Sequence, residues 1–177
     1  NAAAGVNITG ATLTGASSSL TARDGVQITT TGSATLGTID AAKSLITSGP
    51  LTFNRITTSG NSDIVAAGTV TGGSLTSTAG TLAITTTAGG NVLLGSVSAA
   101  NGATIIGAGL ADIDSITTSR GNVLVDMAGN VTVDAANVAG SFDIDSDADV
   151  VIGTTTSAGP TRVRATGAIT AASITTT

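Results

Sequence analysis

The chain has no cysteine, no histidine, no tryptophan and no tyrosine, and only two phenylalanines among its 177 residues. Each absence removes a class of protein. Without cysteine there is no disulfide framework and no cysteine cage for zinc. Without histidine or cysteine, the commonest general base, the imidazole ligand and the thiol nucleophile are all missing. A wide globular core needs large side chains to fill it, so two phenylalanines point to a narrow one. Charged residues make up only 10% of the chain against 41% hydrophobic, which argues against charge-driven disorder. No apolar run reaches the 18 or so residues of a membrane span, so none is expected here. A net charge of −5 argues against a nucleic-acid partner. No basic region followed by an apolar stretch opens the chain, so any signal peptide is expected outside this segment.

What remains is Ala, Gly, Ser, Thr, Val and Ile, and it recurs. One apolar column reads Ile8, Ile28, Ile46, Val65, Ile84, Ile106, Val125, Ile144 and Val163, at intervals of 18 to 22 residues. A second reads Leu13, Leu36, Phe53, Val70, Leu94, Ile113, Val133, Ile152 and Ile169. A third reads Leu20, Ile39, Ile56, Leu75, Val97, Ile116, Val138, Thr155 and Ile174. A period near nineteen is too short for a domain and is that of one stacked coil. Around the columns the residues alternate as strands require, as in Val123-Leu-Val125-Asp and Phe142-Asp-Ile144-Asp. Helix formers with charge are nearly absent. The expected fold is all-β: a parallel β-helix (β-solenoid) of about nine coils with three faces per coil, spanning residues 1–177 as one segment.

The spacing from the second column to the third takes two main values. It is three residues in Leu36-Gly-Thr-Ile39 and five in Val70-Thr-Gly-Gly-Ser-Leu75 and Val133-Asp-Ala-Ala-Asn-Val138. Such variation favours a right-handed helix over the left-handed form with its strict hexad. Gly49-Pro50, Gly89-Gly90, Gly102, Gly121, Gly129, Gly140 and Gly159-Pro160 read as corners. So do Gly72-Gly73 and Gly107-Ala-Gly109, which lack the helix and Lys-Ser/Thr context of a phosphate loop. Asn1-Ala-Ala-Ala is too short for a capping helix, and the chain stops in register at Ile174-Thr-Thr-Thr. Open coil edges invite pairing. The expectation is a piece of a longer solenoid, or a subunit that stacks end to end on identical copies.

Three features are candidates for chemistry. Asp143, Asp145, Asp147 and Asp149 offer alternate carboxylates to Ca²⁺, but they lack the Gly and terminal Glu of an EF-hand loop. With Ile144 stacked on Val163, Asp143 should instead lie beside Arg162 and Asp145 beside Arg164. The second candidate is a hydroxyl column beside the third ladder: Thr21, Thr57, Thr76, Ser98, Thr117, Thr156 and Thr175, interrupted by Asp40 and Ala139. The triplets 29–31, 85–87 and 154–156 add to it. Flat threonine arrays bind ice or sugars, although Thr is also simply a good strand residue. The third candidate, catalysis by carboxylates and arginines as in β-helical polysaccharide enzymes, lacks an aromatic platform for sugar rings. Neither a catalytic residue nor a cofactor is assigned.

The segment from Gly121 to Ala136, GNVLVDMAGNVTVDAA, resembles the shaft repeats of filamentous-haemagglutinin-type adhesins. Large autotransporter and two-partner-secreted surface proteins of Gram-negative bacteria are similar. The resemblance extends from about Gly5 to Thr177. It implies an extracellular or cell-surface rod, non-enzymatic, that supports attachment or biofilm contacts, with carbohydrate or a cell-surface receptor as partner. It carries no binding residue with it.

Overall fold

A computed structural model describes residues 4–177; Asn1–Ala3, the start of the segment read as too short for a cap, lie outside the described residues. The chain is an all-β solenoid of nine coils. Each coil has one short strand and one long one, from Val6–Gly10 and Leu13–Ala22 in coil 1 to Thr161–Ala165 and Ile169–Thr176 in coil 9. The short strands stack in chain order into one nine-stranded parallel sheet, and the long strands into another.

The long strand is bent. Its pairing runs through Leu36↔Phe53, omits Gly37 and Asn54, and resumes at Thr38↔Arg55. The same omission recurs at Gly95 and Asp114, and again at Gly153 and Ala172. Two successive residues that point away from the core turn the sheet through a corner. The two arms of the long strand and the short strand are thus the three faces expected from the sequence.

Seven residues per coil point inward rather than three. In coil 3 they are Ser44, Ile46 and Ser48 on the short strand, and Leu51, Phe53, Ile56 and Thr58 on the long one. The ladders correct the apolar columns in three places. Ile64 and Ile105, not Val65 and Ile106, continue the line from Ile46 to Ile84 and Val125. A slip of one residue reverses the facing of a strand side chain, so Val65 and Ile106 point outward. The second column merges two neighbouring ladders: Leu13, Val70 and Ile169 belong to the ladder of Leu51 and Val92, not to that of Phe53 and Leu94. In the third column Ala136, not Val138, stacks on Ile116 and Thr155. Val138 instead lies under Thr118.

With the register corrected, the two bend lengths collapse to one. Every long strand after the first has 8 residues, and every short strand has 5. Coil length still varies, but the two turns between strands absorb it. Coil 1 is the exception, with a 10-residue long strand and a shift between Gly15 and Ser19. Gly49-Pro50 and most of the other expected corners lie in turns and Gly73 lies at the bend of its long strand, whereas Gly72 and Gly107 lie within strands away from any corner. Both point inward. A side chain at Gly72 would collide with the Phe53 ring, and one at Gly107 would come within 2.9 Å of Met127 Cε. The core is one coil thick, so a large residue is accommodated by a small one in the adjacent coil.

Buried hydroxyls close the ends of the strands. Thr30 donates to the Gly32 carbonyl at 3.0 Å, Thr58 to Gly60 at 2.7 Å and Thr86 to Gly90 at 2.7 Å. Each satisfies a turn carbonyl and its own buried oxygen together. Outside the core, asparagines clip one turn to the next. Asn91 Oδ1 accepts the Leu110 N–H at 3.0 Å, and Asn130 Oδ1 that of Asp149 at 3.2 Å. At the other turn, Asn122 Oδ1 accepts the Ser141 N–H at 2.9 Å.

Candidate binding face

The hydroxyl column of the sequence exists in space. Thr21, Asp40, Thr57, Thr76, Ser98, Thr117, Asn137, Thr156 and Thr175 stand in register on the outer side of the long strands' second arm. The interruption in coil 7 is Asn137; Ala139 lies in the following turn. The triplet 154–156 belongs here, but Thr29 and Thr85 are on the short-strand face, so those triplets do not add to it.

Sequence reading missed a second column two residues upstream. Ser19, Thr38, Ser74, Ser96, Ser115, Thr154 and Ser173 flank the first column in coils 1, 2, 4, 5, 6, 8 and 9. Arg55 and Ala135 break it. The signal was present as hydroxyl–inward residue–hydroxyl, as in Ser74-Leu-Thr76 and Ser115-Ile-Thr117. It stood out only once the inward residue of each coil was known. Thr58 and Thr118, which follow Thr57 and Thr117 in sequence, are buried and do not belong to the face.

The face is therefore two columns of small hydroxyls on a sheet, with rows about 4.8 Å apart and columns about 6.6 Å apart. From coil 4 onward it carries no charge. Near coils 1–3 it adjoins a shallow groove lined by Thr21, Arg23, Asp40 and Thr57. Chemically it is a regular grid of hydrogen-bond donors and acceptors, suited to a hydroxylated polymer or to ordered water.

The acidic run is otherwise employed. Asp143 pairs in register with Arg162 and Asp145 with Arg164, as the stacking of Ile144 on Val163 requires. Arg164 Nη1 lies 3.6 Å from Asp145 Oδ2, with both side chains largely exposed. An exposed pair of this kind contributes about a few tenths of a kcal/mol. Asp143 accepts from the Ser141 hydroxyl at 3.1 Å. Asp149 takes the place of the turn asparagines, accepting the Ala168 N–H at 2.8 Å. Asp147 is exposed in the turn between them. Among the described residues no three acidic side chains converge on a metal-sized point. Among the described residues no helix is long and apolar enough to cross a membrane.

Comparison with known protein families, with curated proteins and with solved structures finds no match for this chain. The class that the fold defines is the β-solenoid repeat protein.

Proposed function

We propose that the chain is a length of structural shaft from an extracellular or cell-surface fibrous adhesin of a Gram-negative bacterium, without enzymatic activity. The observation that carries this reading is the pair of unbroken nine-stranded parallel ladders. Stacked at about 4.8 Å per coil, they make a stiff rod roughly 43 Å long. A shaft needs length and rigidity, and every element of this chain supplies both. The likeness of its repeats to filamentous-haemagglutinin-type shafts gives the surface setting. Electron microscopy of the native assembly tests it: filaments with a continuous axial repeat of about 4.8 Å support the shaft. Isolated monomers with both ends covered would overturn it.

A second reading has an observation of its own, the two-column hydroxyl grid. In that reading the rod binds a polysaccharide or ice through Ser74, Thr76, Ser115, Thr117, Thr154 and Thr156. It requires polysaccharide retention or thermal hysteresis that Thr117→Lys abolishes, and neither activity in the parent chain at high concentration rejects it.

A further inference from the structure

The face formed by the short strands presents two outward residues per coil, and its apolar members follow a pattern. Leu45 and Leu124 occupy the first outward position in coils 3 and 7. Val65 and Ile106 occupy the second position in coils 4 and 6. Ala83 occupies the first position in coil 5. The four large ones are exposed at 42%, 36%, 40% and 39% respectively. The stripe zigzags, and it reads the same in both directions from coil 5. Nothing in the local strand requires this: an outward residue next to Ile64 or Ile105 has no core to fill.

A surface that reads the same both ways along a rod fits a two-fold axis lying along the coil 5 strand. We propose that this face is the interface of an antiparallel side-by-side dimer of the solenoid. Turning the rod about that axis lays coil 3 against coil 7 and coil 4 against coil 6. Leu45 of one copy meets Leu124 of the other, Val65 meets Ile106, and Ala83 meets its own counterpart. Such a contact is isologous, each half repeating the other.

The charges agree with this orientation and disagree with its alternative. In the antiparallel pair, Asp63 lies against Thr104, and Asp126 against Thr47. Asp143 and Asp145 lie against Gln27 and Thr29, and Arg162 and Arg164 against Asn7 and Thr9. No carboxylate meets a carboxylate and no arginine meets an arginine. A parallel two-fold pairing would set the two outward positions of each coil against each other. Asp143 would then face Asp145, Arg162 would face Arg164, and Leu45 and Leu124 would lie on Thr47 and Asp126. Like charges opposed across a sheet contact are destabilising. The area also suffices. Nine strands at about 4.8 Å by five residues at about 3.3 Å give roughly 700 Å² on each copy, or roughly 1,400 Å² in all. That falls within the range of about 1,200–2,000 Å² for stable complexes.

The dimer is independent of the shaft reading, and its test separates it from end-to-end stacking. Sedimentation of the 177-residue chain at high micromolar concentration should show a dimer. Val65→Lys combined with Ile106→Lys should raise its dissociation constant at least about tenfold, with circular dichroism unchanged. The chain has no cysteine, so single-cysteine variants report geometry cleanly. With a short bis-maleimide, A83C should cross-link to itself. L45C should cross-link to L124C in a mixture but not to itself, because the two Leu45 sites stand about 19 Å apart. A monomer overturns the proposal. So does a dimer insensitive to the lysine pair, or one in which L45C links to itself.

Discussion

At the residue scale the core is decided by what neighbouring coils leave for each other. Gly72 makes room for the Phe53 ring and Gly107 for Met127. Buried hydroxyls are tolerated where a turn carbonyl is within reach, as for Thr58 and Thr86. Thr155 breaks that rule. It sits in a ladder of Ile39, Ile56, Leu75, Val97 and Ile116, fully buried, and its Oγ1 has no hydrogen-bond partner. A buried hydroxyl without a partner costs about 1–3 kcal/mol, and valine has nearly the same shape. Thr155→Val should therefore raise the urea midpoint, by an amount equivalent to about 1–2 kcal/mol at unchanged slope. A lower midpoint would mean that the hydroxyl has a partner in solution.

At the element scale the short strand is uniform and the turns are not. All nine short strands have five residues, and their middle inward position is Ile or Val throughout. The strand Ser62–Ala66 places Ile64 in the core and Val65 on the surface. A polar residue should separate the two positions sharply. Ile64→Asn should cost about 3 kcal/mol or more, by loss of burial and by an unsatisfied amide. Val65→Asn, compared at a concentration low enough to keep the chain monomeric, should change stability by less than about 0.5 kcal/mol. Thermal melts of the two variants test the register. Equal effects would return Val65 to the core, where the apolar column of the sequence had it. The turns show the other side of this economy: Asn91, Asn130 and Asp149 each hold the next coil's turn through one side-chain oxygen. This is why Asp149 reads in sequence as part of an acidic run and in space as a turn clip.

At the scale of the whole molecule contacts run almost entirely between adjacent coils, with Asn54 Nδ2 of coil 3 donating to the Ala16 carbonyl of coil 1 at 3.1 Å as an exception, so stability is close to a sum of nearest-neighbour terms. The inward residues of coils 3–8 are almost all buried, whereas every residue of the strand Ile169–Thr176 is exposed. Opening in this chain should therefore begin at a terminal coil. Native-state hydrogen exchange should show amides of coils 4–6 protected at the global free energy and those of coil 9 protected far less. Uniform protection from coil 1 to coil 9 would show a single cooperative unit.

Much of this architecture was legible in the chain itself, because strand alternation and the coil period are local and repetitive properties. The nineteen-residue rhythm, the strand vocabulary and the pairing of Asp143 and Asp145 with Arg162 and Arg164 all follow from position along the sequence. So does the column of Thr57, Thr76, Thr117 and Thr156. Wherever two apolar residues stand side by side, as in Ile64-Val65 and Ile105-Ile106, local pattern has no means of choosing between them. The choice is made by the residue one coil away, a contact some nineteen positions distant, and only the folded ladder supplies it. The same contact decides that Gly72 belongs under Phe53, that Ser115 stands beside Thr117 on one face, and that Leu45, Val65, Ile106 and Leu124 turn outward together. The sequence by itself determined that this chain is a solenoid. The tertiary structure decided which side of each strand is its surface, because facing is set by register against a neighbouring coil.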